Sequence, residues 1–274
     1  MLYPSSTSGQ ATACGTLCSK EQFIDSFGDP GDLNPFITHG YRPKSSLLEC
    51  VQSVVKIHNE SINIWSHLPP SLICACVVAV QDCPVLALYT FASSLCLFSS
   101  SVYHTLNSHT ISTRKTCSKC DWASIIVLML ASDIPLIHFA FMYSPPLQFV
   151  YTTLVSACAA ATCAIITKNS LYSNTAARNL AFCALVSTSF VHITHAHFSS
   201  PNCQIPSISA ASLSVYSVGF CFFVSKFPER AYPGQLNIAI NSHQIWHMFV
   251  VAGILVHMRS VNWLCTAASH CGSK

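Results

Sequence analysis

From about residue 64 onwards, long apolar stretches alternate with short polar ones along the chain. Seven apolar stretches follow one another, and they cover residues 64–81, 85–106, 121–143, 147–167, 178–198, 204–225 and 242–262. Each is long enough to cross the hydrocarbon core of a bilayer as a helix, which takes about 20 residues. The pattern therefore predicts an all-α membrane protein built as a seven-transmembrane helix bundle.

The residues in front of the first apolar stretch are polar and rich in turn-forming types. They predict a cytosolic N-terminal tail over 1–63, a membrane domain over 64–262 and a short lumenal or extracellular tail over 263–274. Within the first tail, apolar residues recur at helical spacing and predict an amphipathic helix near 45–58. They are Leu47, Leu48, Val51, Val54 and Val55. Such a helix lies either on the cytosolic membrane surface or beneath the bundle.

Composition excludes several classes of protein. Hydrophobic residues make up 51% of the chain and charged residues only 8%, whereas soluble domains carry about 25% charged residues. A water-soluble globule is therefore excluded. The net charge of +3 is small and scattered along the chain, so we expect membrane lipid as a partner and no nucleic acid.

The distribution of basic residues predicts the orientation in the membrane. The N-terminal tail and the connections after the second, fourth and sixth apolar stretches hold 11 of the 13 Lys and Arg residues. Short basic loops stay in the cytosol, which places the N-terminus there and the C-terminus on the lumenal or extracellular side. This orientation is opposite to that of rhodopsin-type receptors. Four cysteines fall on the lumenal side, where a disulfide is permitted but its pairing stays open: Cys83, Cys203, Cys265 and Cys271.

Ionisable groups are costly inside a bilayer, and five polar residues are expected at one membrane depth. His104 ends the second stretch, Asp121 begins the third, and His243 and His247 lie in the first turns of the seventh. His243 and His247 share a helix face, and Ser100 shares one with His104. All five are therefore expected near the cytosolic end of the bundle.

Three imidazoles with an open position are the ligands of a catalytic type of zinc site. We expect Zn²⁺ on His104, His243 and His247, with Asp121 and Ser100 holding or deprotonating a water in the fourth position. The alternative is that these histidines bond to backbone carbonyls at the interface. The matching depth on three helices favours the metal.

Two other groups of polar residues lie within the predicted spans. His192, His195 and His197 cluster in the fifth stretch, where no partner helix is apparent, and interfacial or interhelical hydrogen bonding is expected. Asp133 lies deep in the third stretch, shortly before Pro135. It either lines a lipid-binding cavity or is held neutral by its surroundings.

Three motifs, in this order, resemble those of the progestin and adipoQ receptor family, which is related to haemolysin III. They are Gly40-Tyr41-Arg42 followed by His58-Asn59-Glu60-Ser61-Ile62-Asn63-Ile64-Trp65-Ser66-His67, then Ser100-x-x-x-His104 with Asp121, then Ser242-His243-Gln244-Ile245-Trp246-His247. The resemblance extends from about Asn34 to Val261. It implies a seven-helix bundle with a cytosolic N-terminus and zinc on His104, His243 and His247.

Within that family, three stretches are most similar to a Golgi-resident member that traps Raf kinase. They are Asn34-Pro35-Phe36-Ile37-Thr38, Arg114-Lys115-Thr116-Cys117, and Ser225-Lys226-Phe227-Pro228-Glu229-Arg230 leading into Pro233-Gly234-Gln235-Leu236-Asn237. The resemblance implies a receptor or scaffold that regulates kinase signalling from the Golgi membrane, with a cytosolic kinase on the N-terminal tail. The plasma membrane is the alternative location. Two alternative functions stay open: a ceramidase-like lipid amide hydrolase with Asp121 as the base, and a receptor for a lipid, steroid or adiponectin-type hormone.

Overall fold

The computed structural model describes residues 16–28, 33–168, 174–199 and 205–272 of the 274. Small elements come first: strand β1 (Cys18–Ser19), helix α1 (Lys20–Phe27), strand β2 (His39–Tyr41) and helix α2 (Leu47–Gln52), followed by a 3-10 turn (Ser53–Val55). Seven long helices follow: α3 (Ser61–Val78), α4 (Pro84–Leu106), α5 (Ile111–Ala140), α6 (Pro145–Thr167), α7 (Thr175–Ser199), α8 (Ile205–Ser225) and α9 (Ser242–Gly272).

Among the described residues, six of the long helices are long and apolar enough to cross a membrane. They are α3 to α7 and α9, whereas the apolar part of α8, Ser209–Ser225, is shorter. The chain is therefore an integral, multi-pass helical membrane protein, as the sequence predicts. A seventh crossing by α8 stays a prediction.

The long helices form a closed bundle. Consecutive helices pack against one another, and α9 returns to α3 and α4, while α5 also contacts α7, α8 and α9. Helices α8 and α9 approach closely because Gly219 lies against Phe249 and Gly253 lies against the ring of Tyr216, where a Cβ atom would collide. Small residues at helix crossings allow this kind of close packing within membranes.

Helix α5 begins earlier than the apolar pattern predicts. It starts at Ile111 rather than near residue 121, because the Thr110 side chain accepts a hydrogen bond from the Thr113 backbone N–H and caps the helix. Arg114 and Lys115 therefore lie on helical turns and not in a loop. Hydropathy marks the membrane-embedded part of a helix, whereas the helix itself continues into the polar region beyond it.

Helix α9 likewise continues past residue 262, to Gly272. A disulfide joins Cys265 on this extension to Cys83, which directly precedes α4. This bond answers the pairing that the sequence left open for two of the four cysteines. Cys203 and the side chain of Cys271 lie outside the described residues.

The N-terminal segment is folded against the bundle. Strands β1 and β2 pair in an antiparallel manner, and Ser19 and Gln22 form a capping box at the start of α1. The Arg114 guanidinium lies 5.5 Å from the ring centroid of Phe23 and 5.1 Å from that of Phe27. These contacts attach α1 to the first turn of α5, so the helix is part of the folded domain.

Helix α2 turns its apolar side chains away from the protein. Leu48 and Val51 of α2 are 65% and 54% exposed and Val55 of the following 3-10 turn is 81% exposed, whereas Cys50 is fully buried against the bundle. The helix ends at Gln52, earlier than the predicted range of 45–58. Its orientation fits a helix on a membrane surface better than one packed beneath the bundle, which would bury the apolar side.

Candidate metal centre

The three predicted ligand histidines lie together at one end of the bundle. His104 is in the last turns of α4, and His243 and His247 are in the first two turns of α9. The Nε2 atom of His243 lies 3.3 Å from Nε2 of His104 and 3.2 Å from Nε2 of His247. His104 and His247 are buried and His243 is half-buried. The three side chains are close enough to hold a metal ion.

Hydrogen bonds on the far side of two rings assign their tautomers. The Nδ1 atom of His104 lies 2.7 Å from a carboxylate oxygen of Glu60, so it donates a hydrogen there. The Nδ1 atom of His247 lies 3.1 Å from Ser66 Oγ, and this hydroxyl already donates its own hydrogen to a backbone carbonyl. Neutral His104 and His247 therefore both present Nε2 lone pairs towards His243. A hydrogen on His243 Nε2 can pair with only one of these two lone pairs. A cation between the rings pairs with both of them and with the Nε2 lone pair of His243.

The spacing of the nitrogens fits a tetrahedral metal. Ligand nitrogens at 2.0–2.1 Å from zinc in tetrahedral geometry are about 3.3 Å apart, close to the 3.2 and 3.3 Å observed for His243. His67 stacks on His247, with ring centroids 3.8 Å apart and planes 7° from parallel. A ring stacked in this way cannot aim a nitrogen at the same point. His67 therefore supports the orientation of His247, and among the described residues only His104, His243 and His247 form the cluster.

Glu60, directly before α3, is a site residue that sequence reasoning missed. Besides His104, it accepts a hydrogen bond of 2.7 Å from Asn107 and another from Asn63. Burial opposes the charge of this carboxylate, but the hydrogen bonds from His104 and Asn63, together with the charge of Arg42, lower the pKa of Glu60 below its ordinary value. The sequence did contain a signal for this role: Glu60 is an acidic residue just before an apolar stretch, at the membrane depth predicted for His104.

Arg42 holds the end of the helix that carries His104. Its buried guanidinium donates hydrogen bonds to the backbone carbonyls of His104 and Thr105 and to the side chains of Asn107 and Ser53. The carbonyls at a helix C-terminus lack partners within the helix, and a cation is favourable there. The Gly-Tyr-Arg motif thereby acquires a structural role beside the histidines.

Glu229 fixes the start of the helix that carries the other two histidines. It is fully buried in the connection between α8 and α9. Its carboxylate accepts hydrogen bonds from the backbone N–H of Ser242 at 2.7 Å, from the Ser242 hydroxyl, and from the Asn34 side chain at 2.8 Å. An acidic group at a helix N-terminus satisfies unpaired N–H groups and the helix dipole. Sequence reasoning quoted Glu229 within a motif without assigning it this role.

Asp121 and Ser100 lie at the same end as the histidines. Asp121 is half-buried on α5 and interacts electrostatically with His104. Ser100 is buried one turn before His104 on α4. Among the described residues, no direct hydrogen bond joins either side chain to the three imidazoles. Their predicted role as holders of a water stays a prediction.

The histidines of α7 do not form one cluster. His192 is fully buried and its Nε2 lies 3.2 Å from Asp133 Oδ1 on α5, which confirms the expected interhelical hydrogen bonding and identifies α5 as the partner helix. His195 bonds through Nδ1 to the Tyr151 hydroxyl on α6 at 2.7 Å, and His197 is exposed. The ring arrangement of the helices, which periodicity does not encode, brings α5 against α7.

Long apolar helices and a cluster of three histidines define an integral membrane protein with a candidate metal centre at one end of its bundle. A family model described as Haemolysin-III related matches residues 55–258 of the chain. The chain belongs to this family, that of the progestin and adipoQ receptors.

Curated relatives match along most of the chain. It is similar to the ADIPOR-like receptor IZH1 of Eremothecium gossypii, with 28% identity over 85% of this chain and 82% of the relative. It is similar to progestin and adipoQ receptor family member 3 of Homo sapiens, with 28% identity over 81% and 79%. It is also similar to the adiponectin receptor protein of Drosophila melanogaster, with 27% identity over 84% of this chain but only 56% of the relative.

Proposed function

We propose that the protein is a zinc-binding, receptor-like signalling protein whose metal ligands are His104, His243 and His247. The observation that carries this proposal is the convergence of three Nε2 atoms, two of them presenting lone pairs, at tetrahedral spacing. In this proposal Asp121 and Ser100, which lie at the same end of the bundle, hold a water in the fourth position. Bound zinc would polarise a carbonyl there and lower the pKa of the water to about 7.

Metal content of the full-length protein, purified in detergent, tests this centre. Wild type should contain about one zinc per chain, and the double variant His243→Ala/His247→Ala should contain none. His109→Ala is the matched control, because His109 lies at the same end but bonds to the Ser45 carbonyl instead. A folded wild type without zinc, or a double variant that keeps it, contradicts the proposal.

We propose that all seven long helices cross the membrane, with the N-terminus in the cytosol. Basic loops support this orientation, and so do the cysteines. Cys83 and Cys265 are joined at one end of the bundle, whereas Cys117 and Cys120 near the metal end are free thiols. Disulfides persist in the lumen or outside the cell, and thiols stay reduced in the cytosol.

A cytosolic surface made by two chain segments supports a role in kinase regulation. The Thr38 backbone N–H donates to the Asn237 side chain at 2.8 Å, and Asn34 donates to Glu229. Two of the stretches that resemble the Golgi-resident member therefore form one surface, on which Arg230 and Tyr232 are exposed. We propose that this surface binds a Raf-type kinase at the Golgi membrane.

Surface substitutions test kinase binding better than a deletion. Removing residues 1–60 also removes Glu60 and Arg42, so it would disturb the metal centre. Arg230→Glu with Tyr232→Ala should reduce co-purification of the kinase and its retention at the Golgi, while zinc content stays unchanged. Lys168→Glu, on a different connection, is the control. Unchanged kinase retention in the double variant contradicts this part of the proposal.

A cluster of three protein ligands favours one second candidate function, a zinc-dependent lipid amide hydrolase. In this function Asp121 takes a proton from the attacking water, and the substrate enters from the bilayer. Asp121→Asn should abolish ceramide hydrolysis while zinc content is retained, and Asp82→Asn, at the other end of the bundle, should retain both. Lack of hydrolysis by zinc-loaded wild type favours the receptor, with a lipid or steroid as its ligand.

A further inference from the structure

An apolar groove lies on the outside of the bundle, between α2, α3 and α4. Leu47 and Val51 of α2, Leu68 of α3, and Val102 and Leu106 of α4 line it. Its volume is about 240 Å³, whereas pockets for drug-sized ligands measure about 300–1,000 Å³. The groove therefore has room for one slender chain rather than for a bulky ligand.

The groove is apolar although two hydroxyl groups lie in its wall. Ser101 and Thr105 of α4 donate hydrogen bonds of 2.9 and 2.8 Å to the backbone carbonyls of Leu97 and Ser101. Their hydrogens are used within the helix, so the groove offers mainly carbon surface to an occupant. The two apolar α4 residues of the groove each lie two positions from His104, which directs them to the opposite side of the helix. The groove is therefore separate from the metal centre.

The groove continues into the apolar surface that the bundle presents to the bilayer. Leu72 lies one turn after Leu68 on α3 and is exposed, and Phe98 lies one turn before Val102 on α4 and is also exposed. Both residues lie further from the metal end than the groove does. A chain that begins in the groove can therefore continue along α3 and α4 towards the middle of the bilayer, as an acyl chain of a membrane lipid would.

Two lysines flank the groove where α2 joins the bundle. Lys44 precedes α2, and the backbone N–H of the adjacent Ser45 donates 2.9 Å to the carbonyl of Ser108, just after α4. Lys56 follows the 3-10 turn, and its carbonyl accepts a hydrogen bond of 2.7 Å from the hydroxyl of Ser61, the first residue of α3. Both lysine side chains are exposed, and among the described residues neither forms an ion pair. One ammonium group thus lies on the α4 side and the other on the α3 side.

The charge and depth of this rim suit an anionic lipid headgroup. Glu49, the acidic residue of α2, accepts hydrogen bonds of 2.7 and 2.8 Å from the backbone N–H and hydroxyl of Ser46, so its carboxylate caps the helix. Trp65 is exposed on α3 and donates to the Val54 carbonyl at 2.8 Å. Trp side chains of this kind lie at the level of the headgroups. Lysines at that level attract anionic lipids, which are abundant in the cytosolic leaflet.

We propose that the groove binds one acyl chain of an anionic phospholipid of the phosphatidylserine type, whose headgroup pairs with Lys44 and Lys56. Under the proposed topology this lipid belongs to the cytosolic leaflet. The binding is non-covalent and requires neither the metal centre nor the surface proposed for the kinase.

Native mass spectrometry of the full-length protein in detergent tests the preference for the headgroup. Wild type should bind a first phosphatidylserine several-fold more tightly than phosphatidylcholine with the same chains. Lys44→Gln/Lys56→Gln should lose most of this preference, at about fivefold for each lysine. Lys168→Gln, a change at an exposed lysine that directly follows α6, should keep it. Equal binding of the two lipids by wild type, or an unchanged preference in the double variant, overturns the proposal.

The contribution of the acyl chain is tested by filling the groove. Val51→Trp places a large ring in the groove and should weaken phosphatidylserine binding several-fold, whereas Val55→Trp, on the exposed 3-10 turn outside the groove, should not. Glycerophosphoserine, the same headgroup without chains, should not compete with the lipid. Unchanged binding by a folded Val51→Trp variant, or effective competition by glycerophosphoserine, overturns binding in the groove.

Fluorescence quenching locates the lipid without altering the groove, and it decides the question should Val51→Trp fail to fold. Trp65 lies one turn before Leu68 on α3. In nanodiscs, brominated phosphatidylserine should quench the part of the fluorescence that Trp65→Phe removes more strongly than brominated phosphatidylcholine at the same mole fraction. Equal quenching by the two lipids overturns the proposal.

Discussion

Glu60 is the side chain that most directly orients a proposed metal ligand. Its carboxylate holds Nδ1 of His104 at 2.7 Å and fixes the tautomer in which Nε2 is free to bind. Carboxylate partners of this kind raise ligand basicity, and their loss typically lowers metal affinity by about 10–100-fold. We therefore expect Glu60→Gln to weaken zinc binding by about that factor.

Competition with a chromogenic chelator measures this change on the purified protein. Glu21→Gln serves as the control, because Glu21 is exposed on α1 and makes no contact with the histidines. If Glu60→Gln binds zinc as tightly as wild type, Glu60 supports only the start of α3.

His58 makes the N-terminal segment sensitive to acid. It accepts a hydrogen bond at Nδ1 from the Glu60 backbone N–H and pairs through Nε2 with the Ser53 carbonyl, which requires the neutral ring. Burial, and next the charge of Arg42, lower the pKa of His58 to about 4, from 6.5 in the unfolded chain. Below about pH 6.5 the unfolded chain binds a proton that the folded one does not, so stability falls towards pH 4.

The unfolding temperature at a series of pH values measures this effect. Between about pH 6.5 and pH 4, the unfolding temperature should fall less for a protein with His58→Gln than for the same protein with His58. Both proteins should carry His243→Ala/His247→Ala, so that release of metal at low pH does not contribute. Parallel curves for the two proteins would exclude His58 as a source of acid sensitivity.

The start of helix α9 depends on one buried carboxylate. Glu229 binds the backbone and hydroxyl of Ser242, directly before His243. Glu229→Gln keeps the shape of the side chain but loses its charge-assisted hydrogen bonds. Its amide NH2 group also faces the buried donors of Ser242 without an acceptor. We expect the substitution to lower the free energy of unfolding by about 1–3 kcal/mol. We expect a lower unfolding temperature together with weaker zinc binding. Arg230→Gln, a change at the adjacent and exposed residue, should alter neither the unfolding temperature nor zinc binding. If Glu229→Gln also leaves both quantities unchanged, α9 is positioned by packing alone.

The helices and the histidine cluster were predictable, because each depends on properties that are local in the sequence. Apolar length located the helices, and the basic loops placed His104 and His243 at one depth. The contacts of Arg42 and Glu60 were not predictable, because they depend on the path of an irregular segment that no periodicity describes. Asp133 could be placed deep in the third stretch and His192 within the fifth, but their pairing required knowledge of which helices are neighbours in the ring.

The whole molecule has two chemically different ends. One end carries the histidine centre and the free thiols Cys117 and Cys120, and the other carries the disulfide between Cys83 and Cys265. Under the proposed topology these ends face a reducing and an oxidising compartment respectively. The N-terminal segment, packed over the metal end, then presents its surface to cytosolic partners.

This asymmetry predicts the labelling pattern of intact microsomes, whose outer face is cytosolic. A membrane-impermeant maleimide should label Cys120, which is exposed, and Cys120→Ser with Cys117→Ser should remove most of that signal. Cys83 and Cys265 should react only after the membrane is permeabilised and the disulfide is reduced. Labelling of Cys83 in sealed vesicles after reduction with an impermeant reagent would require the opposite orientation. The metal centre, and any partner bound beside it, would then face the lumen.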